Sequence, residues 1–342
     1  MAAPPCGEAW EGPRMRRRSW LGAAAAAATI ATPALGQTRW VMASPYADAN
    51  FHTRNIRAFI QDVEGATGGR LTIQLHNNGA LLPMAQIKRG AQTGQVQLGE
   101  ILLSAYGNED PFFEVDSVPF LADTWPASAA LHAATDPYVR ARLERQGLTP
   151  LYMVHWNSQS FYTREPLSSL EQLRGTRLRA FNNLTFRFAE LLGAQPVTVQ
   201  VPEVPQAFAT NVIGVLFTSA QTGVDVSAWD FARHFLDVGG MRPRNIVFAN
   251  TRALQALDEP TRRAVLDAAR RAEARGREMS QTAEGEMLGR LRAQGMAVAE
   301  APEAMMAALR EIGARQTAEW AGRAGPEGAQ MLERYRALLP AR

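Results

Sequence analysis

The stretch Leu173-Arg174-Gly175-Thr176-Arg177-Leu178-Arg179-Ala180-Phe181-Asn182-Asn183 holds a turn, a strand and the start of a helix. Gly175 punctuates it, residues 176–181 alternate with the period of a strand, and Asn183 is placed to cap the run Leu184, Phe188, Leu191, Leu192 that stops at Gly193. This order sets Arg179 near a strand end, beside a helix N-terminus. A guanidinium fork and the positive end of a helix dipole both suit a carboxylate. Two readings of Arg179 stay open on this segment alone. It is an anchor for an anionic ligand, or it is a strand-end charge in solvent or in a structural ion pair.

Working outward, Arg39 to Ala43 reads as a strand, Asn55 to Glu64 as a helix closed by Gly68-Gly69, and Leu71, Ile73, Leu75 as an alternating strand. A helix over Met84 to Gln92 ends near Gly94 and leads into the apolar strand Val96 to Leu102. This β, α, β, α, β order predicts an α/β fold with a mostly parallel sheet covered by helices. A helix over about 126–147 precedes the strand Leu151 to His155, and a second lobe starts near Trp156. Its strands fall around 160–163, 176–181, 196–201 and 212–218, and Ile246 to Asn250 returns to the first lobe.

From Asp258 the pattern changes. Pro260 sits early in a helix, and Val265, Ala269, Ala272, Met279, Ala283 and Met287 recur at helical spacing as a packing stripe. Running to Leu291, this helix spans on the order of 50 Å at 1.5 Å per residue, enough to brace two lobes. Gly295 ends it, and helices near 302–321 and 327–338 follow. The expected division is residues 37–156 plus about 246–285 for lobe I and 157–245 plus about 286–342 for lobe II.

Residues 1–36 read as an export signal. Arg16, Arg17 and Arg18 precede Ser19-Trp20-Leu21, an alanine-rich apolar run follows, and Ala34-Leu35-Gly36 offers a cleavage site. The paired arginines fit a twin-arginine signal, a Sec signal stays open, and Met15 fits a start. The chain carries 36 basic and 33 acidic residues; without residues 1–36 it keeps 32 and 31, a net charge of +1. That balance argues against a polybasic nucleic-acid or membrane binder. The one cysteine, Cys6, precedes the cleavage site, so stability rests on an ordinary core of a chain that is 46% hydrophobic.

No phosphate loop, nucleophile elbow, His-Glu-x-x-His or dinucleotide-binding glycine motif is present, and the five histidines have no metal-ligand spacing. Neither a metal nor another cofactor is expected. Polar and aromatic residues gather instead at strand ends, where ligands bind in open α/β sheets. Glu100 interrupts the apolar run Leu98-Gly99-Glu100-Ile101-Leu102 and is expected to face a cleft or a cation. Phe51 and His52 follow the first strand's loop, Trp156 and Gln159 lie at the lobe crossover, and Thr218-Ser219 end an apolar strand. Trp229, after Asp225, is placed either to wall a pocket or to pack its helix.

Six short landmarks follow one another along the chain: Ala66-Thr67-Gly68-Gly69-Arg70-Leu71, Gly94-Gln95-Val96-Gln97-Leu98-Gly99, Val118-Pro119-Phe120-Leu121, Leu173 to Arg179, Gly193-Ala194-Gln195-Pro196-Val197 and Glu203-Val204-Pro205-Gln206-Ala207-Phe208. In this order and spacing the chain resembles the solute-binding proteins of tripartite ATP-independent periplasmic (TRAP) transporters. The resemblance implies a two-lobed periplasmic-binding-protein fold with crossover strands and a long bracing helix. It implies closure around an organic acid in the periplasm and delivery of that acid to membrane permease subunits.

The resemblance also makes Arg179 the carboxylate contact and Asn182 a polar neighbour. Gly214 and Thr218-Ser219 depart from the family's Gly-Val-Val-Asp-Gly and Gln-Glu-Asn-Pro pattern, which puts the second-lobe polar contact in question. Gln159 stands where sialic-acid binders carry a second arginine. With Trp156, Phe161, Tyr162 and Phe181 nearby, a small or apolar monocarboxylate is expected, such as an aromatic or branched oxo- or hydroxy-acid. The competing classes are an exported lyase or hydrolase using Glu100 or His52 as base, and a ligand-responsive partner of a membrane sensor.

Overall fold

A computed structural model describes residues 37–340. The readings of residues 1–36, including Met15, Cys6 and the signal, lie outside the described residues. The first half of the chain lays down β1 (Thr38–Ala43), α1 (Phe51–Thr67), β2 (Leu71–His76), α2 (Met84–Thr93), β3 (Leu98–Leu102), α3 (Trp125–Arg145) and β4 (Leu148–His155). The next part comprises β5 (Gln159–Thr163), β6 (Arg177–Ala180), α4 (Asn183–Leu191), β7 (Gln195–Thr198), α5 (Val204–Ala209), β8 (Leu216–Ser219), α6 (Ala220–Asp225) and β9 (His234–Asp237). After β10 (Arg244–Asn250) come α7 (Thr251–Gln255), α8 (Glu259–Ala293), β11 (Ala297–Glu300) and α9 (Glu303–Leu338).

The first sheet has the order β2-β1-β3-β10-β4 and the second β11-β9-β5-β8, with β6 and β7 as a separate parallel pair. The expected β, α, β, α, β succession forms the parallel β2-β1-β3 part of the first sheet. β10 and β5 run against their neighbours, so both larger sheets are mixed. β9 and β11 were not expected: each is four residues long, and β11 is mostly exposed, so neither carries a clear apolar signature. The expected strand over 212–218 shortens to β8: Asn211 takes a positive φ of 56°, the chain turns as far as Gly214, and Val215 makes only an isolated bridge to Leu178.

Local chemistry explains the helix ends. Asn50 caps α1 by accepting from the His52 backbone N–H at 2.9 Å, so the helix begins at Phe51, four residues before its predicted start. Gly68, at φ 58°, closes it in the left-handed conformation. Gly325, at φ 65° before Pro326, divides α9 into the two predicted C-terminal helices.

α8 runs 35 residues, with Asp258 capping through Thr261 N–H at 2.7 Å. Its buried face is made largely of Ala268, Ala269, Ala272, Gly276, Ser280 and Ala283. Small residues there let the helix lie close to α1 and β4; a Cβ on Gly276 would meet the Asn55 amide at 2.7 Å and collide with Val154. The helix also grips the segments that cross between the sheets. Asn157 donates to the Ser280 carbonyl at 2.5 Å, while Glu284 accepts from Ser158 N–H and from Arg242, both at 3.0 Å. One apolar core passes from Trp40 and Phe59 through Val265 and Ala272 to Phe161 and Phe217.

Candidate functional site

β6 pairs with β7 and places Arg179 level with Val197, while its backbone N–H donates to the Val215 carbonyl at 2.9 Å. The side chain is 2% exposed. Nε donates to the Val199 carbonyl at 2.8 Å, and the Phe181 ring lies 5.0 Å from Cζ, so the fork is held at its stem and along one face. Among the described residues, no carboxylate pairs with Arg179 and neither terminal nitrogen has a protein acceptor. Burial pulls its pKa from the ordinary 12.5 down to about 10, against a smaller upward influence of Tyr46. A buried cation of this kind is stabilised by an entering anion.

The guanidinium faces an inner pocket with an empty volume of about 370 Å³. Met84, Leu102, Trp156, Phe181, Val201 and Pro243 form its apolar walls; Tyr46, Gln159, Gln200, Thr218 and Thr222 add neutral polar groups. Arg179 is thus the single charged residue lining it among the described residues. The pocket continues into a wider cleft of about 1660 Å³ through Tyr46, Met84, Phe181, Gln200 and Val201, which line both. Gln159 Nε2 donates to the Asn157 carbonyl at 2.8 Å, leaving its carbonyl oxygen as the free end of the amide. Among the described residues, the Thr218 hydroxyl has no protein partner.

Behind the wall lies a polar network. Glu100 accepts from Ser44 Oγ at 2.6 Å and from Asn245 Nδ2 at 2.8 Å. Asn245 Oδ1 in turn accepts from Trp156 Nε1 at 2.8 Å and from the Tyr46 hydroxyl at 3.3 Å. Burial pushes the Glu100 pKa up from 4.5 to about 7, partly offset by those hydrogen bonds. The His52 ring lies tilted against Trp156, with centroids 4.5 Å apart, and burial holds its pKa well below the usual imidazole value. Its Nδ1 stands 3.6 Å from Glu100 Oε1, too long for a hydrogen bond.

Residues 43–323 match the family described as bacterial extracellular solute-binding protein, family 7. The chain belongs to that family, the receptors of TRAP transporters. DctP7 of Bordetella pertussis, an extracytoplasmic solute receptor binding pyroglutamic acid, is 44% identical with a TM-score of 0.86, covering 87% of this chain and 99% of its own. DctP6 of the same organism, also a receptor binding pyroglutamic acid, is 37% identical with a TM-score of 0.86, covering 88% of this chain and 100% of its own. A marine metagenome TRAP solute binding protein specific for pyroglutamate is 34% identical with a TM-score of 0.86, covering 88% of this chain and 99% of its own.

In this receptor Arg179, Phe181, Trp156, Gln159 and Thr218 meet at the inner pocket, although they come from different segments. Asn182 lines only the outer cleft. It, not Asn183, caps α4: its Oδ1 accepts from Thr185 N–H at 2.8 Å, and its amide donates to Ser104 Oγ at 2.8 Å. Glu100, expected to face a cleft or a cation, stands behind the wall, hydrogen-bonded to neutral partners. Phe51 and His52 belong to the first turn of α1 and pack against Trp156 from behind. Ser219 is the N-cap of α6, accepting from Thr222 N–H at 3.1 Å, and does not line the pocket. Trp229 packs against the core away from the pocket, following the helix-packing alternative.

Sequence reasoning missed Tyr46, Met84, Gln200, Val201 and Thr222 as pocket residues, and Asn245 as the hub behind them. Gln200 and Val201 follow β7, so the strand-end rule pointed to them. Asn245 gave no such sign, since its partners Glu100 and Trp156 are far away in sequence.

Proposed function

We propose that this receptor captures L-pyroglutamate, or a closely similar small cyclic monocarboxylate, in the periplasm and delivers it to TRAP permease subunits. The observation that carries the reading is Arg179, the one charge in the inner pocket, with its two terminal nitrogens free of protein acceptors among the described residues. One carboxylate neutralises one guanidinium through a bidentate pair, and a second would meet no cation there. The Thr218 hydroxyl lines the pocket and can donate to the carbonyl oxygen of a lactam. The three relatives named above support the same ligand class. A lactam acid replaces the aromatic or branched oxo- or hydroxy-acid expected from the flanking aromatics.

Glu100 and His52, the two candidate bases of the enzyme alternative, both lie outside the pocket lining, which favours reversible binding over turnover. The division into lobes at residues 37–156 plus about 246–285 and 157–245 plus about 286–342, and export by a twin-arginine or Sec signal, belong to the same proposal. A thermal-shift series over L-pyroglutamate, aliphatic dicarboxylates and hexuronates tests the ligand class. Stabilisation by pyroglutamate above the others is the expected outcome; stabilisation by dicarboxylates alone would overturn it.

A further inference from the structure

Tyr46 reaches the pocket with its hydrogen already committed elsewhere. The indole N–H of Trp156 can only donate, and it lies 2.8 Å from Asn245 Oδ1, which fixes that atom as an oxygen. The amide nitrogen then faces Glu100 Oε1 at 2.8 Å, consistent with an acceptor there. The Tyr46 hydroxyl, 3.3 Å from the same Oδ1, must therefore direct its proton to Asn245. Only the lone pairs of the phenol oxygen remain for a ligand. Tyr46 and Arg179 line the same inner pocket, so this acceptor and the carboxylate anchor share one site.

We propose that Tyr46, oriented by Asn245, is a specificity-determining residue that accepts a hydrogen bond from a ligand N–H adjacent to the carboxylate-bearing carbon. This rests on the ligand class proposed above. A carboxylate held by Arg179 presents only acceptors, so the phenol oxygen cannot be its partner; a ring N–H bonded to the neighbouring carbon can. L-Pyroglutamate carries its N–H there. Its lactone analogue, 5-oxotetrahydrofuran-2-carboxylate, puts an oxygen lone pair in the same place and leaves two acceptors opposed.

Calorimetric titration of the wild-type protein with both acids is the test. The lactone should bind about 10- to 100-fold more weakly than L-pyroglutamate. Tyr46→Phe keeps the ring but loses the acceptor, so it should weaken pyroglutamate and bring the ratio close to one. Asn245→Leu releases the phenol proton toward the pocket and should shrink the ratio as well. Equal wild-type affinities for the two acids would overturn the role of Tyr46 while leaving the pyroglutamate assignment intact; this comparison needs no variant. An unchanged ratio in Asn245→Leu would overturn the part given to Asn245. No binding of pyroglutamate at all would instead overturn the ligand assignment, and this inference with it.

Discussion

Replacing Arg179 with methionine should remove most of the ligand-induced stabilisation while leaving the ligand-free protein close to wild-type stability. The lowering of its pKa from 12.5 to about 10 corresponds to roughly 3 kcal/mol of destabilisation of the charged, ligand-free fold at neutral pH. Methionine removes that penalty and fills much of the same volume. It also leaves the Val199 carbonyl without its Nε partner, which costs about 1–3 kcal/mol. These effects nearly cancel. With ligand at ~1000 times its Kd, the wild-type protein gains about 4 kcal/mol, or roughly 8 °C at about 2 °C per kcal/mol for a chain of this size. Losing a desolvated charge pair costs about 3–5 kcal/mol, at least a ~100-fold fall in affinity. At the same ligand concentration the variant should then shift by no more than about 3 °C. Differential scanning fluorimetry reads both quantities. A variant that melts far below wild type yet keeps its full ligand shift would refute the reasoning, because Arg179 would then be a structural residue.

Three further outcomes follow from particular contacts. Glu100 holds its proton more tightly when folded, near pH 7, than at its ordinary value of 4.5, so the folded state binds more protons between these values. Stability should fall as pH rises through that window, by up to roughly 3 kcal/mol from this residue; urea unfolding of Glu100→Gln from pH 5 to 8 should show a flatter profile than wild type, and parallel profiles would contradict it. Asn182→Ala removes the α4 cap and the contact to Ser104 and should cost about 1–2 kcal/mol in the same unfolding assay, with ligand affinity little changed. Gly223→Ala would drive a methyl into Tyr162, which donates to the Ser219 carbonyl at 3.0 Å, and should cost about 1–3 kcal/mol; a neutral effect would show that the Tyr162 ring can move aside.

The elements with strong local chemistry were legible in the sequence. α8 announced itself through Asp258, Pro260 and a stripe of small apolar residues, and α1 and α2 ended at glycines in left-handed conformations. Arg179 was legible because a strand end and a helix start flank it. The Asn182 cap was displaced by one residue because both Asn182 and Asn183 can cap, and only Thr185 completing the capping box favours the first. Glu100 was recognised as unusual, but a carboxylate within an apolar strand does not reveal whether it faces a ligand or Asn245. β9 and β11 owe their strand geometry to neighbours in the second sheet, which no local pattern encodes.

At the centre of the pocket a single buried guanidinium, Arg179, is poised to read a single carboxylate. Titrating the wild-type protein with L-pyroglutamate and with its uncharged primary carboxamide changes only that group. The carboxamide should bind at least ~100-fold more weakly, as expected for loss of a desolvated charge pair. Equal affinity for acid and amide would contradict it.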